Sequence, residues 1–206
     1  MYYDPMISKL VAWGKDRPTA MNLLRTAMDE YVIRGVVHNL GFGQSILRNK
    51  SFAEGHYTTA FIPTFYPNGF KGDPLTDDDL NGLTIASHYI RNIAKSQNVL
   101  VGHDAPKNDD VVFVVIKGHE HDQDFKVEHL PCGGYTVTDV ATGKSTAVNA
   151  QNFDFEYGSL LRFDVDGQRR LIQYEDTREE VNLHFTVKGS QVEAVVLDAY
   201  QYRLKK

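Results

Sequence analysis

Two textures divide the chain near residue 110. Before it, apolar positions recur at helical spacing; after it, they alternate with period two. Over 16–35, DRPTAMNLLRTAMDEYVIRG, the positions Met21, Leu24, Met28 and Tyr31 line one side of a predicted helix. Asp16 suits its N-cap, Pro18 tolerates the first turn, where its missing N–H would be an orphan, and Gly35 suits the stop. A shorter helix is predicted over 39–49, weakened by Gly41 and Gly43 at about 1 kcal/mol each against alanine. A third helical piece is predicted over 58–65. Residues 66–76, YPNGFKGDPLT, crowd proline, glycine and asparagine without periodicity and read as a linker or boundary.

The stretch TDDDLNGLTIASHYIRNIAKSQ then predicts a long helix over 77–97. Thr76 and Asp79 resemble a capping box, and three aspartates sit at the positive end of the helix dipole. Leu83, Ala86, Ile90 and Ile93 form one stripe; Leu80, Leu83, Ser87, Ile90 and Ala94 form its neighbour. So wide an apolar face belongs to a helix embedded in other structure. Asn92, if it faces the less apolar side, is expected to tolerate aspartate. Beyond 110, short candidate strands follow one another at 111–117, 124–130, 134–140, 144–149, 153–157, 159–165, 168–175, 180–187 and 190–198. Thr142-Gly143, Asp166-Gly167 and Gly189-Ser190 mark turns between them. With no helical pattern among them, they predict an antiparallel barrel or sandwich. The fold class is α+β: helical pieces, then a long helix with a curled antiparallel sheet of eight or nine strands wrapped around it.

At 206 residues and 42% hydrophobic content, the chain holds one large domain or two small ones and needs no staples. A single cysteine, Cys132, forms no internal disulfide, which suits a reducing compartment. Apolar runs such as 111–116 are too short to cross a bilayer, and the start carries no secretory pattern. Residues 1–72 hold 8 Lys/Arg against 5 Asp/Glu, and residues 73–206 hold 14 against 22. An acidic second part without a basic stripe argues against nucleic acid as a partner, and nothing points to a membrane.

Candidate chemistry is sparse. In GHEHDQD, His119 and His121 with Asp122 and Asp124 could ligate a metal, but the segment reads as a hairpin loop whose only further donors are His129 and Cys132. Solvated loop polars are the preferred reading, and no metal site is expected. Cys132 lacks a base that would make it a nucleophile. The connection 98–110, NVLVGHDAPKNDD, carries three consecutive apolar residues, Val99, Leu100 and Val101, two positions before His103. They either plug the barrel or form an exposed hook for a partner.

The opening stretch resembles the end of the biotin carboxylase domain of biotin-dependent acyl-CoA carboxylases. The resemblance is carried by Tyr2, Tyr3, Asp4, Met6, Ile7, Lys9 and Leu10, then Gly35, Val36 and Asn39, then Phe52, Gly55, Thr58 and Phe61. FIPTFYPNGFKG resembles the exit from that domain in alpha subunits of the propionyl-CoA type. The helix and meander that follow are similar in length and order to the family's transferase-linking (BT) domain, a long helix in an eight-stranded barrel. The resemblance covers the whole chain, with specific motifs over 1–70 and layout alone after 76. It implies a biotin carboxylase end at 1–66, a linker at 67–75 and a BT domain at 76–206, comprising helix 77–97, hook 98–110 and barrel 111–198. On this reading residue 1 is a cut inside a larger polypeptide, which is why the chain starts on apolar residues.

The resemblance also implies a role: an assembly module that docks the biotin carboxylase onto a carboxyltransferase beta subunit, with the rest of its own alpha chain, including the biotin carrier domain, as the other partner. Val99, Leu100, Val101 and His103 become the expected docking residues. Asp4, in a motif that borders the family's carboxylase site, either supports that site or only orients the turn before Pro5. The parent enzyme would use biotin, ATP and magnesium, in the cytoplasm of a bacterium or the mitochondrial matrix of a eukaryote. This chain has no glycine-rich phosphate loop and no Met-Lys-Met tripeptide; its only lysine near methionine is in MISK. It is therefore expected to hold no cofactor and to be inactive alone. The alternatives are a small-molecule-binding β-barrel, whose cavity a threaded helix would fill, and a self-sufficient enzyme, for which no nucleophile–base pair is evident.

Overall fold

The computed structural model describes residues 6–97, 109–117, 122–131, 133–175 and 182–205. The chain forms two compact units, residues 1–73 and 74–206.

The first unit contains α1 (Arg17–Glu30), α2 (Leu40–Arg48), α3 (Lys50–Ala53) and α4 (Phe61–Phe65). The Asp16 side chain accepts from the Thr19 amide at 2.8 Å, the cap its position predicts. Helix α1 stops at Glu30 and does not run on to Gly35. Tyr31 is already extended, and the β-branched pair Val32-Ile33 favours that conformation over another helical turn. Gly43 has a use beyond its helix cost: a Cβ there would sit 3.0 Å from the Met28 Cε, so its absence gives the α1 side chain room against α2. Rings hold the remainder together. Phe61 lies 4.8 Å from Phe65 and 5.7 Å from Phe52, and Phe42 lies 4.9 Å from Tyr66. Residues after Tyr66 stay on this unit: Phe70 packs 5.7 Å from Phe42, and Asp73 accepts from the Ser45 hydroxyl at 2.6 Å. Helix α1 has no buried residue. Trp13 is 82% exposed, Val11 76% and Ile7 67%.

The second unit opens with α5 (Asp77–Gln97). Its capping box forms as the sequence predicts: the Thr76 amide donates to Asp79 Oδ2 at 3.0 Å, and the Asp79 amide donates to Thr76 Oγ1 at 3.2 Å. Asp79 is itself buried and pairs with Lys188 at 2.6 Å. Nine strands follow: β1 (Val111–Ile116), β2 (Gln123–His129), β3 (Tyr135–Asp139), β4 (Ser145–Val148), β5 (Ala150–Glu156), β6 (Leu160–Val165), β7 (Gln168–Glu175), β8 (Asn182–Val187) and β9 (Ser190–Leu197). All pairings are antiparallel, and the order is β4-β3-β2-β1-β9-β8-β7-β6-β5.

That order forces curvature. Laid flat, the two edge strands would stand about 38 Å apart, at about 4.8 Å per step. Yet β4 and β5 are consecutive in the chain, joined by Asn149 alone, and one residue reaches about 7 Å at most. The sheet therefore curls into a half-barrel with its two edges drawn together. Asp166 holds the corner: its side chain accepts from the Asn149 amide at 3.1 Å, and its own amide donates to the Asn149 carbonyl at 2.9 Å. The nine strands match the nine spans marked by the period-two pattern; the resemblance implied eight, one fewer, and 145–156 is a single extended stretch split at this corner.

Leu83, Ile85, Ala86 and Ile90 of α5 belong to one core cluster with inward residues from all nine strands. All seven residues from Gly82 to His88 are buried. At 100° per residue that run passes through every face of the helix, so α5 is covered on all sides over two turns. Outside the sheet, α6 (Ala199–Lys205) caps β1: Tyr202 stacks on Phe113 at 4.1 Å and donates to Asp124 at 2.6 Å. Val115, which alternates to that outer side, is fully buried.

Replacing Ile90 with aspartate puts a carboxylate where the side chain is 5% exposed and surrounded by hydrocarbon. We expect a loss of roughly 3–5 kcal/mol, enough to unfold the second unit. Thermal unfolding followed by circular dichroism checks this; a shift of only a few degrees would mean that α5 lies outside the sheet.

Candidate functional site

The densest polar cluster among the described residues sits where the chain returns to α5 after the 98–108 connection. Arg91 and Lys95 are one helical turn apart and face the same point. The Asp109 carboxylate occupies it, accepting from Arg91 Nε at 3.1 Å and Lys95 Nζ at 2.7 Å. The backbone of Asp109 is held as well. Its carbonyl accepts from His88 Nε2 at 2.6 Å and Asn92 Nδ2 at 3.2 Å, and its amide donates to Asn92 Oδ1 at 2.9 Å. Arg91 is 7% exposed and also donates to the Val196 carbonyl of β9 at 2.9 Å. Burial pushes the Asp109 carboxyl upward, but the bonds from Lys95 and Arg91 together outweigh it and hold the group below its ordinary range.

His88 lies beneath this cluster, 3% exposed, edge-on to Tyr135 at 5.4 Å and stacked with His129 at 6.1 Å. With Nε2–H donating to Asp109, Nδ1 is buried with no hydrogen-bond partner. Protonating Nδ1 would place a charge on an atom that nothing receives. Burial accordingly holds His88 below its ordinary value of 6.5, opposed more weakly by the Asp109 carbonyl. Asn92 is no neutral bystander. Aspartate there would lose the donor to Asp109 and set two carboxylates side by side, so the expected tolerance of this substitution does not survive the structure.

In the first unit, an open cleft of about 260 Å³ is lined by Ser45, Arg48, Asn49, Phe65, Tyr66 and Asp73. Its polar groups answer one another: the Ser45 hydroxyl meets the Tyr66 hydroxyl at 2.8 Å and Asp73 at 2.6 Å, while Arg48 stands between Asp29 at 3.4 Å and Asp73 at 3.9 Å. Asp73, the one carboxylate lining the cleft, is thus held by the Ser45 hydroxyl and faces the Arg48 guanidinium.

Asp4, Val99, Leu100, Val101 and His103 all lie outside the described residues, as do His119, His121 and Cys132. Of the residues weighed as metal ligands, Asp122 pairs with Lys117 at 2.8 Å, and Asp124 is bound by Tyr202 and by Lys205 at 3.2 Å. His129 stacks on His88 instead of facing either aspartate's partners. The Asp109 cluster was not singled out by sequence. The only local signal was a helix with basic residues four apart, followed by a short acidic run.

His88 gives the unit a pH dependence whose sign follows from its depressed value. The unfolded chain takes up the proton below about pH 6.5, whereas the folded unit resists it, so the unfolded state binds more protons in that window. Stability is full above pH 6.5 and falls as the pH drops toward the folded value. Among the described residues, the charged and titratable groups facing His88 are Asp109, Asp110, His129 and Tyr135. His88→Gln should flatten the slope of melting temperature between pH 7 and 5. A mutant slope equal to the wild-type slope would remove His88 as its source.

Residues 1–64 match the biotin carboxylase C-terminal domain. The propionyl-CoA carboxylase alpha chain of Mus musculus, a mitochondrial protein, is 32% identical over 209 residues, covering all of this chain and 28% of the relative. The corresponding Sus scrofa protein is 47% identical over 83 residues, 40% of this chain and 11% of the relative. The propionyl-CoA carboxylase alpha chain of Ruegeria pomeroyi is 38% identical over 101 residues, 49% of this chain and 15% of the relative. The chain thus spans little more than a quarter of the length of the mouse relative that it matches from end to end. By these similarities the chain belongs to the biotin-dependent carboxylases, in the family of the propionyl-CoA carboxylase alpha chains.

Proposed function

We propose that this chain is the connector of a biotin-dependent acyl-CoA carboxylase alpha subunit, docking a biotin carboxylase onto a carboxyltransferase beta subunit. The observation that carries the reading is the end-to-end similarity to the mouse alpha chain. In this reading residues 1–66 end a biotin carboxylase domain, 67–75 lead out of it, and 76–206 form a BT domain in which a closed eight-stranded barrel surrounds α5. The parent enzyme carboxylates biotin with ATP and bicarbonate and passes the carboxyl group to propionyl-CoA. Biotin, ATP and magnesium act elsewhere in that parent, since this chain carries neither a glycine-rich phosphate loop nor a Met-Lys-Met tripeptide. The exposed apolar residues around α1 would meet the remainder of the carboxylase domain, where Asp4 would support its active site. Compartment follows source: cytoplasm in bacteria, mitochondrial matrix in eukaryotes. No described helix is long and apolar enough to cross a membrane.

A small-molecule-binding barrel is the second reading. Against it stands the filling of the half-barrel by α5, whose Leu83, Ile85, Ala86 and Ile90 side chains take the space a ligand would need.

Docking is assigned to the connection 98–110, through Val99, Leu100, Val101 and His103. Leu100→Asp should leave the melting temperature of the chain nearly unchanged, while co-purification of the alpha subunit with the carboxyltransferase subunit is lost. Removing one central anchor costs about 2 kcal/mol or more, roughly thirtyfold in affinity. Unchanged co-purification would move docking to the barrel wall. Titration calorimetry of the chain with MgATP should be flat, and micromolar binding would overturn the connector reading.

A further inference from the structure

Among the described residues, two buried side-chain nitrogens have no hydrogen-bond partner: Arg170 Nε, whose guanidinium still reaches Asp78, and His88 Nδ1. Only the imidazole takes up a proton near neutral pH. One end of a two-strand ladder separates it from water. His129 and Tyr135 are register partners, the last pair of β2 and β3 before their turn. His129 stacks on the His88 ring at 6.1 Å, and Tyr135 meets that ring edge-on at 5.4 Å. His129 is itself exposed, so on this side its ring is the last layer over His88. Beyond the ladder pair, the His129 amide donates to the Asp110 carbonyl at 2.8 Å, and the Leu130 amide donates to the Gly134 carbonyl at 3.1 Å. Two positions inward, the partners Val127 and Val137 are almost fully buried, and the ladder is firm there.

We propose that His88 is the proton sensor of an acid-opened latch: a proton on Nδ1 lifts the His129–Tyr135 end of the β2–β3 ladder from α5, while the rest of the sheet stays closed. An imidazolium has two N–H donors, and the Asp109 carbonyl receives one of them, at Nε2. The other would carry charge in a buried site with nothing to receive it, a larger penalty than a few ladder bonds given over to water. Moving the thin cover hydrates Nδ1 without disturbing the interior. Among the described residues, the charged and titratable groups facing His88 are Asp109 and Asp110 at the entry to β1, His129 of β2 and Tyr135 of β3. Arg91 and Lys95 act on it through the Asp109 carboxylate. Burial disfavours the proton most, the Asp109 bond favours it less strongly, and the charge of His129 disfavours it further. Tyr135, pushed up to about 12 by burial, stays neutral throughout.

The test follows amide exchange of the 206-residue chain by nuclear magnetic resonance between pH 7.5 and 5, corrected for the intrinsic effect of pH on exchange. An opening that takes up one proton gains up to about tenfold in population per pH unit below 6.5. The amides of residues 129 and 130 should show that gain, while those of β8 and β9 change by less than about twofold. His88→Gln should abolish the gain. His129→Phe keeps a ring over His88 but removes the second imidazole, and should retain the gain. Should His88→Gln fail to fold, His88→Leu replaces it, with the Asp109 carbonyl left to Asn92; should both fail, His129→Phe decides. Three results would each overturn the latch: no gain at residues 129 and 130, an equal gain in β8 and β9, which means global unfolding, or a gain that survives loss of His88 or vanishes with His129.

Discussion

A helix buried on every side must satisfy its polar side chains without water, and this requirement shapes the second unit. Thr84 and Ser87 donate back to the carbonyls of Asn81 and Leu83 and so demand nothing of the sheet. The remainder recruit distant chain. Asp79 brings in Lys188, which sits at φ +51 in the turn before β9, and Arg91 brings in Val196 and Asp109. The apolar residues of α5 are served by any hydrocarbon wall, but its charges specify which strand lies where. Removing one partner would leave the other ionised in a low dielectric, a far larger penalty than the net gain from forming the pair.

The first unit obeys the opposite constraint. Its interior is small and built from rings, and its longest helix is buried nowhere. Its order is maintained locally by the Asp16 cap, the Met28–Gly43 contact and the hydroxyl–carboxylate pair at Ser45. Stability per residue is therefore expected to be lower here than around α5, where amide exchange should be slowest.

What the sequence made legible depends on how far apart the interacting residues stand. The Thr76–Asp79 box and the Asp16 cap were readable because partner and cap lie three residues apart. The long helix was readable because two stripes recur over about four turns, and the strands because their turns carry Asp-Gly and Thr-Gly. Asp109 was not readable: its partners lie 14 to 21 residues upstream, and nothing in NDD distinguishes the one aspartate that folds back. Gly43 looked like a helix defect because its reason, the Met28 methyl, belongs to another element. Gly35 is a plausible helix stop, but α1 ends before it, at the extended Tyr31 and the β-branched pair that follows.

The corner at Asn149 has a consequence for crowding. An open sheet offers unpaired amides and carbonyls along its edges, where strands of other molecules can add. Here the edges are two consecutive pieces of one chain segment. The four-residue β4 forms one, and β5 forms the other, with its ladder interrupted between Gln151 and Asp154 and Asn152 at φ +56. A template so short and irregular recruits foreign strands poorly. Strand addition therefore has little to build on at either edge.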